Sequence, residues 1–229
     1  MMPPLVVICM CKNEEIWIRR VLTPLVTVFQ DVIVADTGST DNTLLEISKV
    51  PGIHLIQYPN LSMAEVGLLR GHMQEMAKSL GATRTFMVDA DELYPSSYLR
   101  YIYDNPLPEG KICGFTTGLD VAELPNGEIW KFDSGASRDA VYSVDTTWHG
   151  SYPFEGHSSF QTDRPELNYY WPSLLPNYHY YHLHQTRRSS KDAEVYLRLE
   201  KKYKFSMLDR PDKKPVEFWL RSEADYKDE

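Results

Sequence analysis

Cysteine is scarce in this chain, and the little present does not pair. Cys9, Cys11 and Cys113 are an odd number and show no spacing of a zinc site, which argues against a disulfide framework or a structural zinc cluster. Small buried thiols in a reducing compartment are the expectation, and the cytoplasm is the simplest such location. Long apolar runs are missing as well. Leu5 to Met10 is too short to cross a bilayer and no charged region precedes it, so neither an integral membrane segment nor a secretory signal is expected. Excess positive charge is also lacking: 24 basic against 32 acidic residues give a net charge of −8. That balance argues against a general binder of nucleic acid or of anionic membranes. An anionic substrate would have to be held by a local cluster.

The remaining composition is that of a globular protein. At 229 residues, 42% apolar and 24% charged, the chain fits one domain over residues 1–229, with no internal repeat or low-complexity linker. Its 15 tyrosines suggest wet, stacking surfaces as well as core.

Strand and helix patterns alternate through residues 1–95. Leu5 to Met10 reads as a buried strand, followed by a helix capped by Asn13, with Glu14 and Glu15 in its first turn and Arg19 and Arg20 later. Asp31 to Ala35 is a second strand ending at Asp36, and Thr37 to Asp41 offers caps to a helix running through Ile47. Ile53 to Tyr58 is a third strand. Ser62 and Glu65 form a capping box for a helix to about Leu80, stopped by Gly81. Thr85 to Val88 is the fourth strand. This alternation predicts a mainly parallel sheet with right-handed crossovers. Residues 96–229 read differently: a helix over Ser96 to Tyr103, a strand from Ile112 to Leu119, and a hairpin turn at Asn126-Gly127 before Ile129 to Phe132. Aromatic- and proline-rich loops follow from Trp148 to Tyr178, then a strand over Tyr178 to His184 and a helix from Ser189.

The chemistry centres on Val88-Asp89-Ala90-Asp91-Glu92. A short apolar run delivers Asp89 and Asp91 to the carboxyl end of a buried strand, where open α/β sheets bind ligands. Residues two apart on an extended chain point the same way. Two like charges converging on one point call for a hard divalent cation, which commonly completes its shell with substrate phosphates. The competing reading is a pair of solvated turn acids.

Three segments taken together, Ile8 to Glu14, Val34 to Thr43 and Met87 to Glu92, resemble family 2 glycosyltransferases of the GT-A fold. In that fold a Rossmann-like nucleotide-binding half, here 1–95, is joined to a mixed acceptor-binding half, here 96–229. The resemblance implies a nucleotide-sugar donor, UDP-linked by preference, an Mn²⁺ or Mg²⁺ ion at the DXD motif, and inverting hexosyl transfer to a hydroxyl of a glycan or other acceptor. By similarity Asp91 coordinates the ion directly. Asp89 contacts the donor sugar or ribose, or the ion through water. Glu92 either orients its neighbours or is a solvated acid. Asp36 contacts the nucleobase, with Glu14 and the Cys11 to Asn13 backbone in the same pocket, while Asp41 is a turn and cap residue. Arg70 matches a basic position in many relatives, where it steadies Asp89 or a phosphate; an exposed helix arginine is the other reading. His182 or His184 completes the metal shell, which favours manganese. Arg187 or Arg188 holds the diphosphate.

An inverting transfer also needs a base for the acceptor's proton. Glu155 is the first choice, with Asp145 and His157 behind it, because relatives carry a His-Glu pair where this chain has His157-Ser158. Trp148, Tyr152 and Phe154 are candidates to stack on a sugar, or are core aromatics. Other readings are weaker. A haloacid dehalogenase-type phosphatase wants its nucleophile after the first strand, and a sugar nucleotidyltransferase wants a glycine-rich, lysine-containing loop there. A non-catalytic relative that binds nucleotide-sugar or glycan would lack the base.

Overall fold

Hydrophobic patterning along the amino half builds four parallel strands, the inner three covered on both faces and the outermost partly exposed. The computed structural model describes residues 5–59, 61–123, 129–149, 156–157, 168–170, 180–185 and 214–215. Strands β1 (Leu5–Cys11), β2 (Val32–Asp36), β3 (Ile53–Gln57) and β4 (Arg84–Asp89) alternate with helices α1 (Ile18–Val28), α2 (Thr43–Ser48) and α3 (Val66–Ser79). The strands lie in the order β3-β2-β1-β4, all parallel. Val7, Cys9, Val32, Val34, Phe86 and Val88 face α1, while Val6, Ile8, Ile33, Ala35 and Met87 face Leu69, Met73 and Ala77 of α3. This period-two alternation, with both sides apolar, is why these strands read as unbroken hydrophobic runs. Each such buried aliphatic side chain contributes about 1.5–3 kcal/mol.

The chain steps from β1 to β2 and β3 on one side, then returns to β4 on the other. Strand order therefore reverses at β1, and the carboxyl ends of β1, β2 and β4 open on the crevice that such a switch point creates. In-register pairing sets Met10 beside Asp89 and Cys11 beside Asp36 on that edge.

The second half extends the same sheet with mixed pairing. β5 (Glu92–Leu93) and α4 (Ser96–Asp104) precede the long strands β6 (Cys113–Glu123) and β7 (Ile129–Ser143). β7 runs antiparallel to both β4 and β6. β8 (Trp148–His149) pairs with β9 (Gly156–His157), β10 (Asn168–Tyr170) lies along β6, and β12 (Lys214–Pro215) lies along β7. β11 (Tyr180–Gln185) is parallel to β6 and antiparallel to β5. No helix among the described residues is long and apolar enough to cross a membrane.

Local signals are obeyed closely. The Glu65 carboxylate accepts from the Ser62 N–H at 3.0 Å and the Ser62 hydroxyl at 2.6 Å, and those two bonds hold its pKa below the usual carboxylate value. Gly81, at φ +86°, ends α3 with paired bonds from Gly81 N–H to the Lys78 carbonyl and from Ala82 N–H to the Ala77 carbonyl.

Three expectations are revised. The first helix begins at Ile18, not at an Asn13 cap, because Asn13 lies at φ +56°, whereas a capping residue is extended. Second, β7 continues well past Phe132 through a polar stretch of low strand propensity. Pairing with β6, joined by β4 at Val141 to Ser143, overrides that propensity, with register shifts on β6 between Gly114 and Phe115 and between Thr117 and Leu119. Third, the segment read as loops contains β8, β9 and β10.

Candidate functional site at the carboxyl edge of the parallel strands

Two loops leave the carboxyl ends of β1 and β2 and lock together. Asn13 donates its N–H to the Ser39 hydroxyl at 2.9 Å, and its side-chain carbonyl accepts from the Thr40 N–H at 2.8 Å. Asparagine tolerates the left-handed conformation this crossing requires. The Glu14 N–H donates to the Thr43 hydroxyl at 2.7 Å, and the Glu15 carboxylate accepts from the Asn42 N–H and side-chain amide, both at 2.9 Å. Asp41 accepts from the N–H groups of Thr43 at 3.0 Å and Glu15 at 3.3 Å, which is the turn role expected for it, while Asn42 is the N-cap of α2.

Asp36 sits at the centre of this crossing with 2% of its surface exposed. One carboxylate oxygen accepts from the N–H groups of Gly38 and Ser39, each at 3.1 Å. The other accepts from the Ser39 hydroxyl and, at 3.9 Å, from the Cys11 thiol. Burial pushes the Cys11 thiol well above its ordinary pKa, and Cys9, Asp36 and Asp41 add to the rise. It is therefore a protonated, inert group. Gly38 is required here twice over: its φ is +100°, and a Cβ would meet the Pro59 carbonyl oxygen at 2.6 Å.

The acid motif is built otherwise. Asp89 ends β4, and Glu92 opens β5 only three residues later. The Glu92 carboxylate, buried at 2% exposure, turns back to accept the Asp89 N–H at 3.1 Å. β11 then straps the tip from outside: the Leu183 N–H donates to the Asp91 carbonyl at 2.7 Å, and His182 is the register partner of Glu92. This brings His182 Nε2 to 3.7 Å from an Asp91 carboxylate oxygen. Below the tip, the Tyr94 ring stacks on Tyr180 at 5.0 Å and meets Phe86 edge-on at 5.2 Å. Such pairs add about 0.5–1.5 kcal/mol each beyond burial. The Tyr94 hydroxyl bonds to that of Thr116 at 3.1 Å.

Two of the expected metal-binding residues, Asp91 and His182, are thus together, with Asp89 two residues away on the same turn. A carboxylate oxygen and an imidazole nitrogen form a donor set that first-row divalent cations accept. No group of three or more histidine, cysteine, aspartate or glutamate side chains is arranged to hold a metal among the described residues. The His184 side chain is outside the described set, as are Glu155, Arg187 and Arg188. A register shift between His182 and Gln185 breaks the simple alternation expected along that strand.

Arg70 is buried, not an exposed helix residue. Its guanidinium donates to the Met87 sulfur and lies 5.0 Å from the centre of the Trp148 ring. Trp148 also donates its indole N–H to the Gln74 side chain at 2.8 Å and packs edge-on against Tyr142. Asp145 forms a 2.8 Å ion pair with Lys78 near the amino end of β4. The bracing by Glu92 was left open by sequence reasoning, although its spacing of three residues from Asp89 allows such a return bond.

No protein-family model matches the sequence, and no curated protein does. The chain is similar to solved structures of glucosyl-3-phosphoglycerate synthase from Mycobacterium tuberculosis. One, in complex with Mn²⁺ and UDP-glucose, is 17% identical over 52% of this chain and 44% of that chain, with a TM-score of 0.38. Another, with Mn²⁺, UDP-glucose and phosphoglyceric acid, is 16% identical over 63% of this chain and 58% of that chain, with a TM-score of 0.41. The chain spans about half the length of these structures. So distant a likeness says nothing of what this chain binds.

Proposed function

We propose that the chain is a metal-dependent glycosyltransferase of the GT-A type, a single domain that moves a hexosyl group from a UDP-sugar to a hydroxyl of a glycan or other acceptor with inversion. The observation that carries this reading is the Asp91 carboxylate facing His182 across 3.7 Å at the tip of β4. The three motifs resembling family 2 glycosyltransferases meet at the same sheet edge, where register pairing aligns Met10 with Asp89 and Cys11 with Asp36.

Asp91 and His182 would hold Mn²⁺ or Mg²⁺, and the imidazole favours manganese. A bound cation neutralises the charge that grows on the departing nucleoside diphosphate. The chain's own residues supply the rest. Asp89 orients the donor sugar or ribose from the same turn. The interlocked loops of residues 11–15 and 36–43 form a rigid wall for the nucleobase, set in place by Asp36. Arg187 and Arg188 pair with the diphosphate through planar, bidentate bonds. Glu155 takes the acceptor's proton, a contribution of about 10²–10⁴-fold.

A thermal-shift screen of nucleotide sugars with and without Mn²⁺ tests this. A specific donor at a hundredfold excess over its Kd stabilises the folded chain by about 2.7 kcal/mol, and the effect should vanish with EDTA. Folded protein that no nucleotide sugar stabilises in the presence of Mn²⁺ would remove the proposal. Stabilisation by a UDP-sugar without any UDP release in the presence of acceptors would instead mark a non-catalytic relative.

A further inference from the structure

We infer that Glu92 is the positioning residue of the proposed cation site, acting as a hydrogen-bond acceptor that fixes the Asp89–Asp91 turn opposite His182 and not as a third ligand; the inference rests on the transferase reading above. Three carboxylates within four residues invite a different assignment, in which each takes a coordination position. The geometry separates them. Glu92 is 2% exposed and lies within β5, and its carboxylate points back along the chain to the Asp89 N–H at 3.1 Å. That bond closes the turn from Asp89 to Glu92, so the side chains of Asp89 and Asp91 issue from a loop whose two ends are tied together. The backbone of Glu92 performs a second task. It is the register partner of His182 on β11, and the adjacent Leu183 N–H reaches the Asp91 carbonyl at 2.7 Å. The turn is thus tied at two points, by the Glu92 carboxylate to Asp89 and by the Asp91 carbonyl to β11, and the Asp91 carboxylate lies 3.7 Å from His182 between them. Groups that orient a metal's ligands typically change affinity by about 10–100-fold when lost.

An acceptor and a ligand respond differently to conservative change. Glutamine keeps an oxygen at the same reach and gives up the charge, whereas aspartate keeps the charge and gives up the reach. Mn²⁺ is titrated into the full chain with UDP present, and unbound Mn²⁺ is followed by its electron paramagnetic resonance signal. Amide exchange of the peptide covering residues 86–93 is measured in parallel on metal-free protein, and a cooperative melt is required of each variant. Glu92→Gln should bind Mn²⁺ within about twofold of wild type, with unchanged exchange, whereas Glu92→Asp should bind about tenfold more weakly and exchange faster. Glu92→Gln losing affinity by tenfold would make the charge essential and overturn the inference, as would Glu92→Asp behaving like wild type in both measurements. Wild-type protein that takes up no Mn²⁺ with UDP would bring down the transferase reading and this inference together. An inverted variant pattern in binding-competent protein would bring down this inference alone.

Discussion

The carboxyl edge of the sheet contains two clusters of polar residues that look alike in the sequence and are put together in opposite ways. At the crossing of residues 11–15 with 36–43, the side chains satisfy one another's loops. Asp36 alone accepts from Gly38, twice from Ser39 and from Cys11, which matches the roughly four acceptor positions of a carboxylate. At the tip of β4 the bracing is delegated. Glu92 and the backbone of β11 hold the turn, and Asp91 is left opposite His182. An acid at a strand end therefore points to a ligand only when other groups carry the load of shaping its loop. By that criterion the Asp36 carboxylate is engaged in shaping its own loop, and the tip is the place proposed for the cation.

Breaking the tip should cost binding and spare the fold. Asp91→Asn removes the charge and keeps the shape of a largely buried side chain whose carboxylate faces His182 at 3.7 Å. Mn²⁺-dependent binding of UDP should fall by about 100-fold or more and turnover should disappear, since a divalent ion is worth several kcal/mol of charge stabilisation. The melting temperature should stay within about 2 °C. Calorimetry of UDP binding beside a thermal melt reads both.

Breaking the crossing should do the reverse. Gly38→Ala meets both a left-handed backbone and the Pro59 carbonyl at 2.6 Å, for a loss of about 3 kcal/mol, read as a lowered urea midpoint. A subtler probe of the same region is pH. Burial, reinforced by Cys9, Asp36 and Asp41, raises the Cys11 pKa in the folded chain. A group with a raised folded pKa stabilises fully below its unfolded value, about 8.5 for a thiol. That stabilisation fades as pH climbs toward the folded value, because the unfolded thiol ionises first. The stability advantage of wild type over Cys11→Ala should shrink by about 1.4 kcal/mol per pH unit above pH 9, measured by urea unfolding at pH 8, 9 and 10. A constant difference across that range would mean that Cys11 ionises as readily in the folded chain as in the unfolded one.

The same contrast explains what could be read from the residues alone. The buried strands, the Ser62–Glu65 box and the Gly81 stop were legible because each is decided within a few residues. The Asp-x-Asp at the end of the fourth strand was legible for the same reason. Asn13 was misread as a cap because its conformation answers to Ser39 and Thr40, more than twenty residues away in sequence. The length of β7 and the pairing of β5 with β11 depend on partners just as distant. Alternation alone does not separate His182 from His184, because residues two apart on a strand point the same way. The burial of Arg70 beside Met87 and Trp148 is set by residues distant in sequence, a neighbourhood that no local pattern announces.

The smallest predicted effect tests place more than chemistry. Asp145 was a secondary candidate for the base, and a carboxylate near the acceptor loops could in principle serve. Its neighbours put it elsewhere: Ser143 is the register partner of Arg84 at the start of β4, and the Val144 N–H bonds the Thr83 carbonyl at 3.1 Å. Asp89 stands five residues further along the same strand, about 16 Å away at the usual rise of a strand. Asp145 instead pairs with Lys78 at 2.8 Å on the protein surface, and that bond holds the Lys78 ammonium above its ordinary pKa. Exposed pairs of this kind contribute little, and salt screens them. Asp145→Asn should therefore leave both UDP release and the melting temperature unchanged within error, at low and high ionic strength alike. A collapse of turnover in that variant would place the base at the opposite end of β4 from the acids, and the carboxyl edge would then not be the reaction centre.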